Sequence, residues 1–86
     1  MRSILSKHAK DEMRRRQISE ALVQSVLSRP EQVVLEKGGR HAYQSRVEFE
    51  EGKIFLVRAI VADDVDPAVV VTVYRTSKIE KYWRKP

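Results

Sequence analysis

Hydrophobic residues near the start of the chain recur at the spacing of a helix. Leu5, Ala9 and Met13 follow one another at intervals of four, and Arg16 continues the same stripe. This pattern predicts a first helix over roughly residues 5–16. Because Arg16 shares the apolar stripe, we expect it on the buried side of the helix, where it needs a carboxylate, a carbonyl or a ligand phosphate as its partner.

A second helix is predicted directly after the first. Ser19 is typical of an N-cap, whose hydroxyl accepts a hydrogen bond from an otherwise free amide. Ile18 before it and Val23 after it occupy the two positions of a hydrophobic staple. Pro30 disfavours helical geometry at the residue before it, so this helix ends by Arg29. Its buried face consists of Leu22, Val23, Val26 and Leu27. The two helices together form a helical hairpin.

From Gln32 onward the pattern changes to strands. Gly38 and Gly39 supply the positive φ angles of a hairpin turn. The third of the predicted strands is apolar on both faces except at Arg58, which is typical of a central strand. The predicted strands cover residues 33–35, 42–49, 54–62 and 68–74.

The element order predicts an α+β fold. An N-terminal helical hairpin packs on a four-stranded antiparallel meander sheet, and a short C-terminal helix follows over residues 78–84. Ser77 and Glu80 form the expected capping box of that helix. We expect one domain over residues 1–86. The first and last helices both need an apolar partner, so we expect them to lie against the same sheet and to bring their cations into one patch.

The charge distribution along the chain indicates what such a patch could bind. The chain has a net charge of +5, but the charge is not spread evenly. Residues 1–16 carry a net +4, residues 75–86 carry another +4, and the segment between them is at −3. A single positive patch would suit phosphates, whereas two separate basic ends would be ordinary solvated surface.

Several function classes are excluded by what the sequence lacks. There is no cysteine, and His8 and His41 do not have the spacing of metal ligands, so we expect no metal and no cofactor. Asp63, Asp64 and Asp66 belong to a polar turn that is typical of solvated carboxylates rather than of a catalytic pair. The chain has no glycine-rich phosphate loop and no apolar run long enough for a membrane span. We expect a cytoplasmic protein without contact to a membrane.

A basic and aromatic set remains as candidate chemistry. His8 can transfer protons near neutral pH, or it can be a structural histidine that is hydrogen-bonded to the sheet or the second helix. Arg58 interrupts a central strand and either pairs with Glu48 or Glu50 or binds a ligand. Arg46 and Arg58 stand on adjacent predicted strands, and we expect them to face the same side of the sheet. The predicted catalytic residues are His8, Arg16, Arg46, Tyr74 and Lys78.

The C-terminal segment has a composition that suits RNA. Aromatic faces stack on bases, and cations hold phosphates. The alternative is that Trp83 and Ile79 are core anchors of the terminal helix. The predicted RNA-binding residues are Arg58, Arg75, Tyr82 and Arg84.

The chain also resembles a family of small uncharacterised prokaryotic domains. These domains have an H-A-x-x-x-M-x-x-R-x-I-S start and a T-V-Y end, matched here by His8-Ala9, Met13, Arg16, Ile18-Ser19 and Thr72-Val73-Tyr74. The resemblance implies that His8, Arg16, Tyr43 and Thr72–Tyr74 are signature positions. The family is similar in layout to the RelE/BrnT-like toxins of bacterial toxin–antitoxin pairs, which cleave RNA.

The leading hypothesis is a toxin-like, metal-independent endoribonuclease or RNA-binding domain. The 2′-hydroxyl of RNA, free or bound to the ribosome, would attack the adjacent phosphate, and His8 or Tyr74 would move protons. Arg16, Arg46 and Lys78 would stabilise the developing charge. The implied protein partner is an acidic antitoxin. The alternatives are a non-catalytic module that binds nucleic acid or an acidic protein, and a structural domain; the protein would be a monomer or a homodimer.

Overall fold

The computed structural model describes residues 1–85, which form five strands and three α-helices. No helix in this part of the chain is long and apolar enough to cross a membrane. The elements in chain order are β1 (Ser3–Leu5), α1 (Lys7–Arg15), α2 (Glu20–Ser28), β2 (Gln32–Leu35), β3 (His41–Glu48), β4 (Ile54–Ala62), β5 (Ala68–Thr76) and α3 (Ile79–Tyr82).

The strands form one mixed sheet in the order β1-β5-β4-β3-β2. The α+β class, the N-terminal helices and the short C-terminal helix are confirmed. The predicted sheet of four antiparallel strands lacks one strand, because β1 adds a fifth that runs parallel to β5 and makes the sheet mixed. Strands β2 to β5 do form an antiparallel meander, and the bounds of β4 agree with the prediction.

The first helix begins later than the apolar stripe predicts, because Ser6 ends the strand and caps the helix. Its Oγ accepts a hydrogen bond from the Ala9 amide at 3.0 Å and donates to the Val71 carbonyl of β5 at 2.9 Å. Leu5 therefore belongs to β1, although it still packs against the core.

The second helix follows the prediction closely. Ser19 is its N-cap and accepts from the Leu22 amide at 3.1 Å. The last helical residue is Ser28, with Arg29 as the C-cap before Pro30. The expected positive φ angles at Gly38 and Gly39 are also confirmed.

The end of α1 contradicts the prediction of a buried Arg16. The helix stops at Arg15, Arg16 is its C-cap, and Gln17 turns the chain with a φ of 56°. The Arg16 side chain is exposed as a result, and its Nε donates to Glu12 Oε1 at 3.2 Å. A carboxylate was one of the three expected partners, but the pair joins an exposed arginine to a largely buried Glu12.

The sheet separates two different layers. We call the side covered by α1 and α2 the helix face; Val57, Ala59 and Val61 of β4 pack there in the hydrophobic core. The opposite side, which we call the tail face, carries Arg58 and its cross-strand partner Gln44. The core residues of the helix face are Ala9, Met13, Ile18, Val23, Val26, Leu27, Val57, Ala59, Val61, Ala68, Val70 and Val73.

The C-terminal helix lies on the tail face, because Gln44 donates a hydrogen bond to the Tyr82 carbonyl at 3.1 Å. Helices α1 and α3 therefore contact opposite faces of the sheet, and the prediction that their cations form one patch is wrong. The predicted capping box is also wrong. The Lys78 amide donates to Thr76 Oγ1 at 3.1 Å, and Lys78 rather than Ser77 becomes the N-cap.

Candidate nucleic-acid interface

Arg58 is the centre of a buried polar network on the tail face. Its side chain is 2% exposed, and each of its three nitrogens donates a hydrogen bond. Nε reaches Gln44 Oε1 at 2.7 Å, Nη1 reaches Tyr74 Oη at 2.6 Å, and Nη2 reaches Glu36 Oε2 at 2.7 Å. The guanidinium also lies 4.3 Å from the ring centre of Tyr82. Every donor nitrogen of the guanidinium is thus engaged by the protein itself, and α3 is held on the sheet.

The electrostatics keep this network charged. Burial alone lowers the pKa of Arg58, but hydrogen bonds to Glu36 and Tyr74 outweigh it, so the pKa of Arg58 is raised. Burial raises the pKa of the Tyr74 phenol, against the opposing effect of Arg58. Arg58 is therefore a cation and Tyr74 a neutral phenol near pH 7. Pairing with a carboxylate was one expected fate of Arg58, but the partner is Glu36 rather than Glu48 or Glu50.

Arg46 fixes the aromatic side chain at the end of the chain. It shares the tail face with Arg58, as predicted, since both flank Gln44 in the paired strands. Its Nε and Nη2 donate to the two carboxylate oxygens of Glu31 at 3.1 and 2.9 Å. The guanidinium lies 4.2 Å from the ring centre of Trp83. The Glu31–Arg46 pair thus packs against one face of the Trp83 indole.

The Glu31–Arg46 pair predicts a specific dependence of stability on pH. The side-chain and backbone hydrogen bonds from Arg46 lower the pKa of Glu31. The folded state therefore binds fewer protons than the unfolded state once the pH falls below the ordinary pKa of about 4.3, and stability is lost as the lowered pKa is approached. We expect Glu31→Gln to be less stable than the wild type at pH 7 but to lose less stability between pH 6 and pH 3. Urea midpoints at each pH measure this, and parallel losses in the two proteins would contradict it.

A groove lies between the free edge of β2 and the C-terminal segment. It encloses about 480 Å³ and is lined by Gln32, Val33, Val34, Trp83, Arg84 and Lys85. Gln32 joins the two walls: its Nε2 donates to the Arg84 carbonyl at 2.6 Å, and its Oε1 accepts from the Arg84 amide at 3.0 Å. We call this feature the C-terminal groove. It combines one aromatic ring, two cations and an apolar strand edge in a volume that is typical of small-molecule sites.

The structure brings together only part of the predicted site. The tail face and its β2 edge collect Arg46, Arg58, Tyr74, Tyr82 and Arg84. The exposed Lys78 directly precedes α3. His8, Arg16 and Arg75 belong to the other side of the sheet.

The residues on the helix face have separate surroundings. His8 is exposed on α1, and among residues 1–85 its ring forms no hydrogen bond, so the structural alternative for it finds no support. Arg75 stacks over the rings of Phe49 and Phe55, at 4.3 and 4.8 Å from their centres. On the tail face, by contrast, Trp83 and Ile79 are half-buried, which agrees with an anchoring role for both.

Sequence reasoning missed a second polar cluster, on the helix face. His41 Nδ1 lies 3.0 Å from Asp63 Oδ1, and Tyr43 Oη donates to Asp63 Oδ2 at 2.9 Å. A signal was present: His41 and Tyr43 are two residues apart on one strand, and Asp63 directly follows the neighbouring strand. Burial raises the pKa of Asp63, but hydrogen bonds from His41 and Tyr43 outweigh it and leave that pKa lowered. Burial also raises the pKa of the Tyr43 phenol.

Comparison with known proteins identifies one family. A search of curated proteins and a search of solved structures each found no match to the chain. Within the described residues, no three histidine, aspartate or glutamate side chains group as metal ligands. A family model described as a domain of unknown function, DUF4258, matches residues 5–75. That stretch runs from the end of β1 into β5 and includes Arg46, Arg58 and His41. The resemblance seen in the sequence is confirmed, and the chain belongs to the DUF4258 family.

Proposed function

We propose that the protein is a toxin-like, metal-independent RNA-binding domain that holds single-stranded RNA in the C-terminal groove. The observation that carries this proposal is the arrangement of Trp83 beside Arg84 and Lys85 along the free edge of β2. An aromatic ring can stack on an unpaired base of any sequence, and neighbouring cations can neutralise the phosphates on either side.

The aromatic ring in the groove favours single-stranded RNA over a duplex. Stacking on Trp83 requires a base that is free of its own partner, and only single-stranded RNA presents such bases. Arg46 already holds the indole in place from the sheet, so little freedom is lost when a base stacks. Stacking of one base on such a ring contributes about 1–3 kcal/mol to binding.

A second candidate function is the binding of an acidic protein, and the outer surface of α1 favours it. Asp11 pairs with both Lys7 and Arg14, and Glu12 pairs with both Arg15 and Arg16. Each carboxylate is thus shared by two cations, which leaves an excess of positive charge on this surface. Because α1 lies on the helix face, an acidic antitoxin could cover it without entering the C-terminal groove.

The groove can be tested by fluorescence, since Trp83 is the single tryptophan of the chain. We expect an unpaired RNA oligonucleotide to quench the emission of Trp83 in a saturable manner at low salt, because the base stacks on the indole. A duplex of the same length should produce much weaker quenching. The Lys10→Ala/Arg14→Ala variant removes two cations of α1 and serves as the control; it should retain the quenching.

Two results would count against this function. RNA that binds by anisotropy without any change in Trp83 emission would place the interface elsewhere. Absence of binding at low salt would remove the RNA function and leave the acidic-protein candidate, for which a polyglutamate peptide is the first probe.

A further inference from the structure

The cluster of His41, Asp63 and Tyr43 has the arrangement of a proton-transfer site. Because the pKa of Asp63 is lowered, its carboxylate is ionised near neutral pH and can only accept hydrogen bonds. His41 Nδ1 must then carry the proton that it shares with Asp63 Oδ1. In the neutral ring this leaves Nε2 with a free lone pair, which is the form required of a general base.

The imidazole is more accessible to solvent than its partner carboxylate. The His41 side chain is 36% exposed, whereas that of Asp63 is 21% exposed. Both oxygens of Asp63 are occupied, one by His41 and the other by the Tyr43 hydroxyl. The carboxylate is therefore fixed in one orientation, and Nδ1 is the ring nitrogen that it engages.

The edge strand β2 connects this cluster with the C-terminal groove. Val33 lines the groove and pairs with Tyr43, while Leu35, two residues further along, pairs with His41. Two residues of a strand span about 7 Å. Leu35 is 64% exposed and lies beside His41 on the helix face. The groove opens at the free edge of β2 and His41 lies on the helix face, so RNA that leaves the groove around this edge would meet the imidazole.

We propose that His41 is the general base that cleaves RNA bound in the C-terminal groove, with Asp63 and Tyr43 as positioning residues. This inference rests on the proposed RNA-binding function. Nε2 takes the proton of a ribose 2′-hydroxyl, and the 2′-oxygen forms a bond to the adjacent phosphorus. The bond from phosphorus to the 5′-oxygen breaks, and that oxygen takes a proton from water. The products are a 2′,3′-cyclic phosphate and a 5′-hydroxyl end, and the hydroxide left by the water accepts the proton from His41.

The central test compares cleavage with binding in the same samples. The substrate is an end-labelled single-stranded RNA, and a second oligonucleotide with 2′-deoxyribose at every position serves as its uncleavable counterpart. We expect His41→Ala to lower the cleavage rate by about 10²- to 10⁴-fold, the usual contribution of general base catalysis, while quenching of Trp83 is retained. His41→Gln provides a second variant in case the alanine protein does not fold, as judged by circular dichroism.

Positioning by Asp63 needs a readout that a purely structural role would not move. In Asp63→Asn the amide no longer requires a proton on Nδ1, so the ¹⁵N shifts of the His41 ring should report a larger share of the Nε2–H tautomer. We expect kcat to fall in this variant while KM and the melting temperature change little. Tyr43→Phe should have a smaller effect in the same direction, because the Asp63 carboxylate stays in place.

The outcomes separate this inference from the proposed function. RNA that quenches Trp83 without being cleaved overturns the catalytic inference and leaves RNA binding intact. Absence of quenching removes the RNA-binding function first. Cleavage that survives in both His41 variants, or that disappears in His8→Ala instead, assigns the base to another residue. Cleavage of the deoxy oligonucleotide would exclude attack by the 2′-hydroxyl.

Discussion

Arg58→Ala is expected to lower the free energy of unfolding by about 3–5 kcal/mol, the range for breaking a buried ion pair from one side. The variant removes the donor to three acceptors at once: Gln44 Oε1, Tyr74 Oη and Glu36 Oε2. Gln44 is fully buried, so water cannot readily replace the lost hydrogen bond there. Loss of the long arginine side chain also leaves a cavity beneath Tyr82.

The matched control is Arg75→Ala, which removes the same side chain from the same part of the sheet. Arg75 lies on the helix face and stacks on the rings of Phe49 and Phe55. Its loss should lower stability by only about 1 kcal/mol. Urea unfolding of both variants measures the difference. Equal losses would show that the network around Arg58 contributes no more than an ordinary stacked arginine.

This network links stability to the proposed function. Arg58 contacts the ring of Tyr82, and Gln44 holds the Tyr82 carbonyl. The residue that follows Tyr82 is Trp83, the aromatic side chain of the C-terminal groove. A buried arginine in a central strand therefore determines where the terminal segment lies, although its guanidinium does not face the solvent.

The sequence predicts most of the fold because most of the signals are local. The Ser19 cap, the stop at Pro30 and the apolar run of β4 each depend on neighbouring residues, and all three are confirmed. Strand β1 could not be predicted in the same way. Three residues are too few to show an alternating pattern, and their pairing with β5 connects positions about 65 residues apart. Leu5 reaches the core from either a helix or a strand, so its hydrophobicity did not distinguish them.

In the candidate site, too, residues with a local signal could be predicted and contacts that depend on strand pairing could not. Arg58 is conspicuous in the sequence because it interrupts an apolar strand, and the structure places it at the centre of a network. Its partner Glu36 could not be identified, because their contact depends on how three strands are aligned in the sheet. His41 and Asp63 were separated for the same reason: each is unremarkable alone, and only strand register brings them to 3.0 Å. The prediction of one basic patch from α1 and α3 is wrong because hydrophobicity alone does not say which side of a sheet a helix covers.

RNA affinity is expected to fall steeply with salt, because neutralising phosphates releases bound counterions. For a single strand the slope of log K against log salt is about −0.7 for each phosphate neutralised. Three or four contacts predict a slope of roughly −2 to −3, which corresponds to a loss of about 15- to 60-fold between 50 and 200 mM salt. Titrations followed by Trp83 emission at several salt concentrations measure this slope directly.

Two double variants that each remove two positive charges show where the phosphate contacts lie. Arg84→Gln/Lys85→Gln removes the cations that line the C-terminal groove and should flatten the slope by about 1.4. Arg14→Gln/Arg15→Gln removes the same charge from α1 on the opposite side of the sheet, and the slope should stay as in the wild type. A slope flattened only by the α1 pair would move the RNA to the helix face. Equal flattening by both pairs would indicate attraction to the overall positive charge of the protein, without a defined groove, because a diffuse field does not depend on which face carries the cations.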